Sequence, residues 1–271
     1  MILISGNPPD VSALAAAYPQ NSAERLVLEK MSGSGAKYRF DSQEQLKFEL
    51  TLRREIVKAS IDLYHSDLGF AVFHKSRCNP EFWDRTENGG FRLKQGAKPS
   101  ESIDDIFKNG GKYATECATA MVIVYYRALL RIFGEESFDR LFPDLFLMNW
   151  RVADPLLRAV GTPKKADDIL LGDRGYFANP DVDPETPQWQ GENVIVLPDS
   201  LYYGHGIGIL PAERIIAALN GNRKEGATQS TYFLDSAGRP DFKKLAAVYQ
   251  RESSRTGTLA WRPFPAPSAA L

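Results

Sequence analysis

The sequence predicts an α+β fold in which a buried central helix packs beside β-hairpins. Two features carry that expectation. Residues Cys117–Phe133 (CATAMVIVYYRALLRIF) are apolar nearly all round, and a helix of that kind lies in the middle of a fold. Two strand–turn–strand patterns flank it. In the first, Phe82–Trp83 and Phe91–Leu93 enclose Glu87-Asn88-Gly89-Gly90. In the second, Asn193–Leu197 and Leu201–Tyr203 enclose a Pro-Asp-Ser turn.

Taken in order, Ile2–Ile4 reads as a short strand ended by Gly6 and Pro8-Pro9. Val11–Tyr18 and Ala23–Lys30 read as helices, residues 31–36 (MSGSGA) as a flexible connection, and Tyr38–Phe40 as extended chain. Ser42 followed by Gln45 forms a capping-box pattern that opens a helix to about His65. Within it Leu46–Leu52 alternates as a strand would, so the periodicity there is loose. Phe70–Phe73 is a strand or a helix continuation. Pro99–Phe107 reads as an amphipathic helix stopped by Asn109-Gly110-Gly111. Gly134 ends the buried helix, and Glu135–Leu141 forms another. Residues 161–191 are rich in Pro, Gly and Asp and read as a long irregular loop. Ile207–Leu210 extends the second hairpin, Pro211–Leu219 is a helix with proline at its start, and Tyr232–Leu234 and Phe242–Tyr249 read as strand and helix. The stretch 251–271, with three prolines and many small residues, is expected to be disordered.

A chain of 271 residues fits one large domain or two small ones. Lys plus Arg is 33 and Asp plus Glu is 34, a balance that points to neither a nucleic-acid nor a membrane-surface partner. The longest apolar run, Ala118–Tyr126, is too short to span a bilayer, and MILISGNPPD lacks the pattern of a secretory signal. With two cysteines, Cys78 and Cys117, a disulfide framework is excluded and a reducing compartment is expected. No Cys/His zinc spacing, Walker A loop or GxGxxG turn occurs, so no metal and no cofactor is expected.

Cys117 is the sharpest chemical feature. It follows a Gly-Gly loop and heads the buried helix, where the helix N-terminus favours thiolate. A nucleophile at the head of a long buried helix is also the geometry of papain-like folds. The plainer alternative is a core cysteine, since free cysteine is among the most buried residue types. A nucleophile needs a base within hydrogen-bond reach. Three residues are candidates: Glu116 beside it, Glu192 where the long loop enters a strand, and His205 between glycines. Each alone is weak, because a strand histidine usually packs and a loop-end glutamate is usually solvated. Cys78 lies in a polar loop with no base in view, and His65 and His74 read as surface residues.

Three segments resemble the small transglutaminase of the spore coats of endospore-forming bacilli. They are Tyr113-Ala114-Thr115-Glu116-Cys117-Ala118-Thr119-Ala120, Gln188-Trp189-Gln190-Gly191-Glu192-Asn193-Val194-Ile195, and Tyr203-Gly204-His205-Gly206-Ile207-Gly208-Ile209-Leu210. Their order and spacing are similar to the family's. Leu171-Gly172-Asp173, Tyr176-Phe177, Asn179-Pro180, Phe48-Glu49-Leu50 and Leu52-Arg53 also fit, so the likeness covers roughly residues 1–250.

The resemblance implies a compact single domain with an NlpC/P60-like (papain-like) core over residues 1–250, followed by the tail. It implies a calcium-independent acyltransferase that joins protein glutamine to lysine through a Cys117 thioester. Glu192 would be the catalytic carboxylate, and Glu116 a second that partly substitutes. Phe70, Trp150, Trp189 and His205 would line a narrow passage to the sulfur. Asn193, Trp150 and the backbone N–H of Cys117 are candidate oxyanion donors. The implied partners are protein substrates bearing Gln and Lys, coat proteins above all. Synthesis would be in the mother-cell cytoplasm, with assembly onto the spore coat. Gly204 departs from the alanine expected there, which should only loosen packing. Residues 161–168 and 18–36 also diverge.

Two other readings compete. One is an NlpC/P60-type cysteine peptidase using Cys117 and His205, which would incorporate no amine. The other is a structural coat protein with an inert thiol. Both leave the three matching segments unexplained.

Overall fold

The computed structural model describes residues 1–150 and 153–255. Eight α-helices occur among them: α1 (Val11–Ala16), α2 (Ala23–Gly33), α3 (Gln43–Tyr64), α4 (Pro99–Lys108), α5 (Cys117–Phe133), α6 (Glu135–Leu141), α7 (Ala212–Asn220) and α8 (Phe242–Arg255). Helix starts follow local chemistry. Asp10 and Ser22 cap α1 and α2 by accepting backbone N–H groups, and Pro99 opens α4. At α3 the Ser42 hydroxyl accepts the Gln45 N–H at 3.2 Å. The Gln45 side chain reaches back to the N–H of Asp41 at 2.8 Å, one residue earlier than an ideal capping box.

Helix α5 is the spine. Every residue from Thr119 to Tyr126 is buried, and α3 packs along it. Its other side meets a five-stranded antiparallel sheet. The strand order is Gly208–Pro211, Leu201–Gly204, Gly191–Val196, Arg174–Ala178 and Tyr232–Phe233. A three-stranded sheet of Trp83–Arg85, Phe91–Leu93 and Phe146–Leu147 contains the first hairpin. Ile2–Ile4 pairs parallel with Tyr38–Phe40 over a small second core. That second core explains the loose periodicity of α3. Leu46 and Leu50 enter it while Phe48 and Leu52 enter the main core, so the helix is apolar on two sides.

The result is a single compact domain of mixed helix and sheet. Three expectations need correction. Helix α2 continues to Gly33, three residues into the predicted connection. The stretch read as irregular, 161–191, contains the strand Arg174–Ala178, internal to the large sheet. Helix α8 runs through Arg255, and Glu252 pairs with Arg140, so the first five residues of the predicted disordered tail are helical. The rest of that tail, 256–271, lies outside the described residues. Among the described residues no helix is long and apolar enough to cross a membrane.

Candidate active site

Glu116 is the N-cap of α5 and Cys117 its first residue. The Glu116 carboxylate accepts from the N–H of Ala118 (2.7 Å), the N–H of Thr119 (2.7 Å) and the Thr119 hydroxyl (2.6 Å). It thereby satisfies donors that the first turn would leave orphaned. The surroundings of the sulfur reverse an expectation. The helix terminus was expected to lower the thiol, but it carries a carboxylate. Burial, then Glu192 and Glu116, push the Cys117 thiol up to about 12.

Glu192 sits in the strand Gly191–Val196, opposite Phe177, and is 4 % exposed. Burial, then the charge of Glu116, hold its carboxyl well above the usual carboxylate range, opposed by a hydrogen bond from the His205 backbone N–H. Its Oε1 has no hydrogen-bond partner among the described residues. The neighbouring strand supplies Gly204. A Cβ there would stand 3.0 Å from both Cγ and Oε1 of Glu192. The glycine therefore bears on the carboxylate itself, not on general packing as the sequence suggested.

Asn193 donates from Nδ2 to the Cys117 sulfur at 3.4 Å, and its Oδ1 accepts from Arg174 at 2.7 Å. Of the oxyanion donors expected, this side chain already faces the sulfur.

His205 is placed differently from what a Cys–His enzyme requires. Its Nε2 lies 3.2 Å from both the Gly69 and Thr115 carbonyls, and Nδ1 lies 3.3 Å from the Tyr203 hydroxyl. Carbonyls only accept, so Nε2 carries the proton and Nδ1 accepts from Tyr203. Burial pushes the ring down to about 4, so it is neutral. The imidazole ties the Gly69–Phe70 and Ala114–Thr115 ladder, which leads directly into Cys117, to the large sheet. It has no nitrogen left for the thiol, which counts against the peptidase reading.

The sulfur opens into a cavity of about 660 Å³, roomy enough for a glutamine side chain and adjoining backbone. Phe70, Trp150 and Asn193 line it, together with Glu116 and Cys117. Trp189 and His205 are not among its lining residues. Trp189 packs with the cluster around Phe177 and Ile215, and the His205 ring lies 6.0 Å from Phe70 by centroids. Sequence reasoning missed Phe73, His74 and Tyr176, which also line the cavity, and Arg174 behind Asn193. Tyr176 and Arg174 lie in the overlooked strand. The available signals were the compact Arg-Gly-Tyr-Phe-Ala run after Gly172-Asp173 and the match of Tyr176-Phe177 to the family. Cys78, half-buried with its thiol pushed up to about 11 by burial, has among the described residues only the Trp83 carbonyl as a hydrogen-bond partner, 3.8 Å away. Among the described residues no group of three or more His, Cys, Asp or Glu side chains could hold a metal ion.

Comparison with known proteins gives the family. A family model described as protein-glutamine gamma-glutamyltransferase matches residues 1–249. The protein-glutamine gamma-glutamyltransferase of Bacillus mycoides (strain KBAB4) is 42% identical over 228 residues, covering 84% of this chain and 82% of the relative. That of Bacillus cereus (strain B4264) is 40% identical over 246 residues, covering 91% and 88%. The solved transglutaminase from Geobacillus stearothermophilus (without C-terminal extension) superposes with a TM-score of 0.72 at 50% identity, covering 76% of this chain and 98% of that one. The chain therefore belongs to the protein-glutamine gamma-glutamyltransferase family of acyltransferases.

Proposed function

We propose that the chain forms isopeptide crosslinks between protein glutamine and lysine side chains through a Cys117 thioester, with Glu192 as the proton carrier. The observation that carries this reading is the group around the sulfur: a thiol heading α5 and open to the cavity, an amide N–H on the sulfur, and, outside the cavity lining, the buried Glu192 carboxyl, which has a free oxygen and whose charge bears on the thiol.

At rest the proton sits on sulfur, because burial and two carboxylates oppose the thiolate. As sulfur attacks the γ-carboxamide carbon, its proton passes to Glu192. A carboxylate at its reference value would be a poor acceptor for that proton, and the upward displacement of Glu192 narrows the mismatch. The tetrahedral oxyanion is held by Asn193 Nδ2 and the Cys117 backbone N–H. Its collapse breaks the C–N bond, and the proton leaves Glu192 with ammonia. The lysine amine then attacks the thioester, Glu192 takes the amine proton, and the thiol is restored. Phe70 and Trp150 limit water, which would otherwise hydrolyse the thioester.

Glu116 is read as a cap first and a reserve carboxylate second, since both of its oxygens are engaged. The wider reading is a calcium-independent enzyme with an NlpC/P60-like core over residues 1–250, acting on spore coat proteins. It is supported by the helix-on-sheet arrangement of α5 and by the Bacillus relatives. The test is incorporation of a labelled primary amine into a glutamine-bearing protein. Wild type should incorporate it, and Cys117→Ala should not while keeping its circular dichroism and melting curve. More than a trace of incorporation by the variant would remove Cys117 as nucleophile.

A further inference from the structure

Arg174 is 5 % exposed and forms no ion pair among the described residues. Its Nη1 donates to Asn193 Oδ1 at 2.7 Å, its Nε donates to the Val160 carbonyl at 3.1 Å, and the guanidinium lies 4.8 Å from the Trp150 ring centroid. A Cβ at Gly238 would come within 2.7 Å of Nε, so the guanidinium is held closely on that side. A buried cation without a carboxylate is strongly destabilising, and such groups concentrate where function requires them.

We propose that Arg174 is a positioning residue for acyl transfer: it fixes the Asn193 carboxamide with its N–H groups toward the Cys117 sulfur and sets positive charge behind that donor. The inference rests on Cys117 being the nucleophile. A carboxamide can flip, but a guanidinium has donors only, so Asn193 must turn Oδ1 to Arg174 and Nδ2 to the sulfur. Without Arg174 the amide could rotate and accept from the thiol, and the oxyanion would lose one of its two donors. The charge matters for a second reason. Every other group facing the thiol opposes negative charge there or is neutral. Glu192 and Glu116 push the thiol up, and the Tyr176 phenol is itself raised to about 12. On the far side, Tyr125 from α5 faces Arg174 and is likewise held protonated by burial. His205 is neutral and turned to the Gly69 and Thr115 carbonyls, and His74 stands exposed at the rim. Arg174 is thus the one described cation behind the sulfur's amide donor.

The experiment measures single-turnover acylation, the pH profile of iodoacetamide alkylation of Cys117, and the melting temperature. The variants are Asn193→Asp, Arg174→Met, Arg174→Lys, Asn193→Ala, the Arg174→Met/Asn193→Ala double variant and Cys117→Ala. Asn193→Asp gives the buried guanidinium a carboxylate, so it should melt no lower than wild type. Its acylation should slow about 10²–10³-fold, the cost of one oxyanion donor. Its alkylation profile should move to higher pH. Arg174→Met should slow acylation on the order of 10–100-fold with the same pH displacement, and Arg174→Lys should recover part of both. The double variant should be no slower than Asn193→Ala alone, because arginine acts through asparagine. Wild-type acylation by Asn193→Asp, an unmoved profile in folded Arg174→Met, or losses that multiply in the double variant would each overturn the proposal. If Arg174→Met does not fold, Asn193→Asp decides. Amine incorporation by Cys117→Ala would overturn the nucleophile assignment itself, whereas wild-type behaviour of Asn193→Asp beside an inactive Cys117→Ala overturns only the role of Arg174.

Discussion

Asp173 and Arg174 are neighbours in the chain, both are buried, and their surroundings are opposite. Asp173 accepts from Arg53 (2.8 Å), from Arg239 twice (2.8 and 2.7 Å) and from the Leu170 N–H (2.8 Å). Arg53 in turn donates to Glu49 and to the Leu171 carbonyl. Every charge there has a partner of opposite sign, and the cluster pins α3 to the start of the sheet. One residue further, Arg174 has only neutral acceptors among the described residues, and Glu192 in the adjoining strand has an oxygen with none. Buried charge that is fully paired holds a fold together. Buried charge left incomplete costs stability and is kept where a reaction completes it.

Substitution on each side sharpens the contrast, and the largest effect is expected on rate at the incomplete side. Glu192→Gln should slow acylation by about 10²–10⁴-fold, the usual worth of a positioned proton carrier. Adding Glu116→Gln should slow it further. Stability should not fall in Glu192→Gln, because the amide removes a buried unpaired charge. The sign with pH follows from the raised carboxyl. Its contribution is present below the unfolded value and lost as pH rises through the folded one. Wild type should therefore lose stability over that window relative to Glu192→Gln in urea titrations. Equal pH slopes in the two proteins would break the comparison.

On the paired side the effect should reverse. Asp173→Asn leaves Arg53 and Arg239 short of their shared carboxylate and should destabilise by about 3–5 kcal/mol. Turnover per folded molecule should stay near wild type. A comparable rate loss with normal stability would mean that the two clusters are one functional unit.

His205→Ala lies between these cases. The ring links two carbonyls and a hydroxyl, so its loss should lower the melting temperature and slow acylation by less than about 10²-fold. The ring stays neutral down to about pH 4 when folded, whereas the unfolded side chain protonates near 6.5. The unfolded state thus binds the extra proton first, and wild type should lose stability as pH falls from 6.5 towards 4. His205→Ala should lack that slope. An inactive His205→Ala beside an active Glu116/Glu192 double variant would restore the Cys–His reading. The smallest effect belongs to Cys78→Ala. It should leave amine incorporation unchanged and stability within about 1 kcal/mol, since the half-buried sulfur makes one long hydrogen bond to the Trp83 carbonyl and the substitution removes a single atom at the edge of the core.

The sequence by itself determined the spine of the protein and the identity of its nucleophile candidate. Helix α5 runs from Cys117 to Phe133 as read from its apolar run and Gly134, because capping, glycine stops and apolar patterning act within a few residues of chain. The hairpin strands and the order of the three matching segments were legible for the same reason. Only the tertiary structure decided what surrounds the sulfur. Asn193 reaches it across 76 residues of chain, Arg174 enters through a strand hidden in a glycine- and proline-rich stretch, and Trp189 turns into a side cluster. The sequence could not show that burial, Glu192 and Glu116 together outweigh the pull of the helix on the thiol, that Gly204 leaves Glu192 its place, or that His205 spends both nitrogens on the scaffold. Those outcomes depend on burial and on cross-strand neighbours, and a proton's place at a site is set by what the folded chain brings against it and not by the residues beside it in sequence.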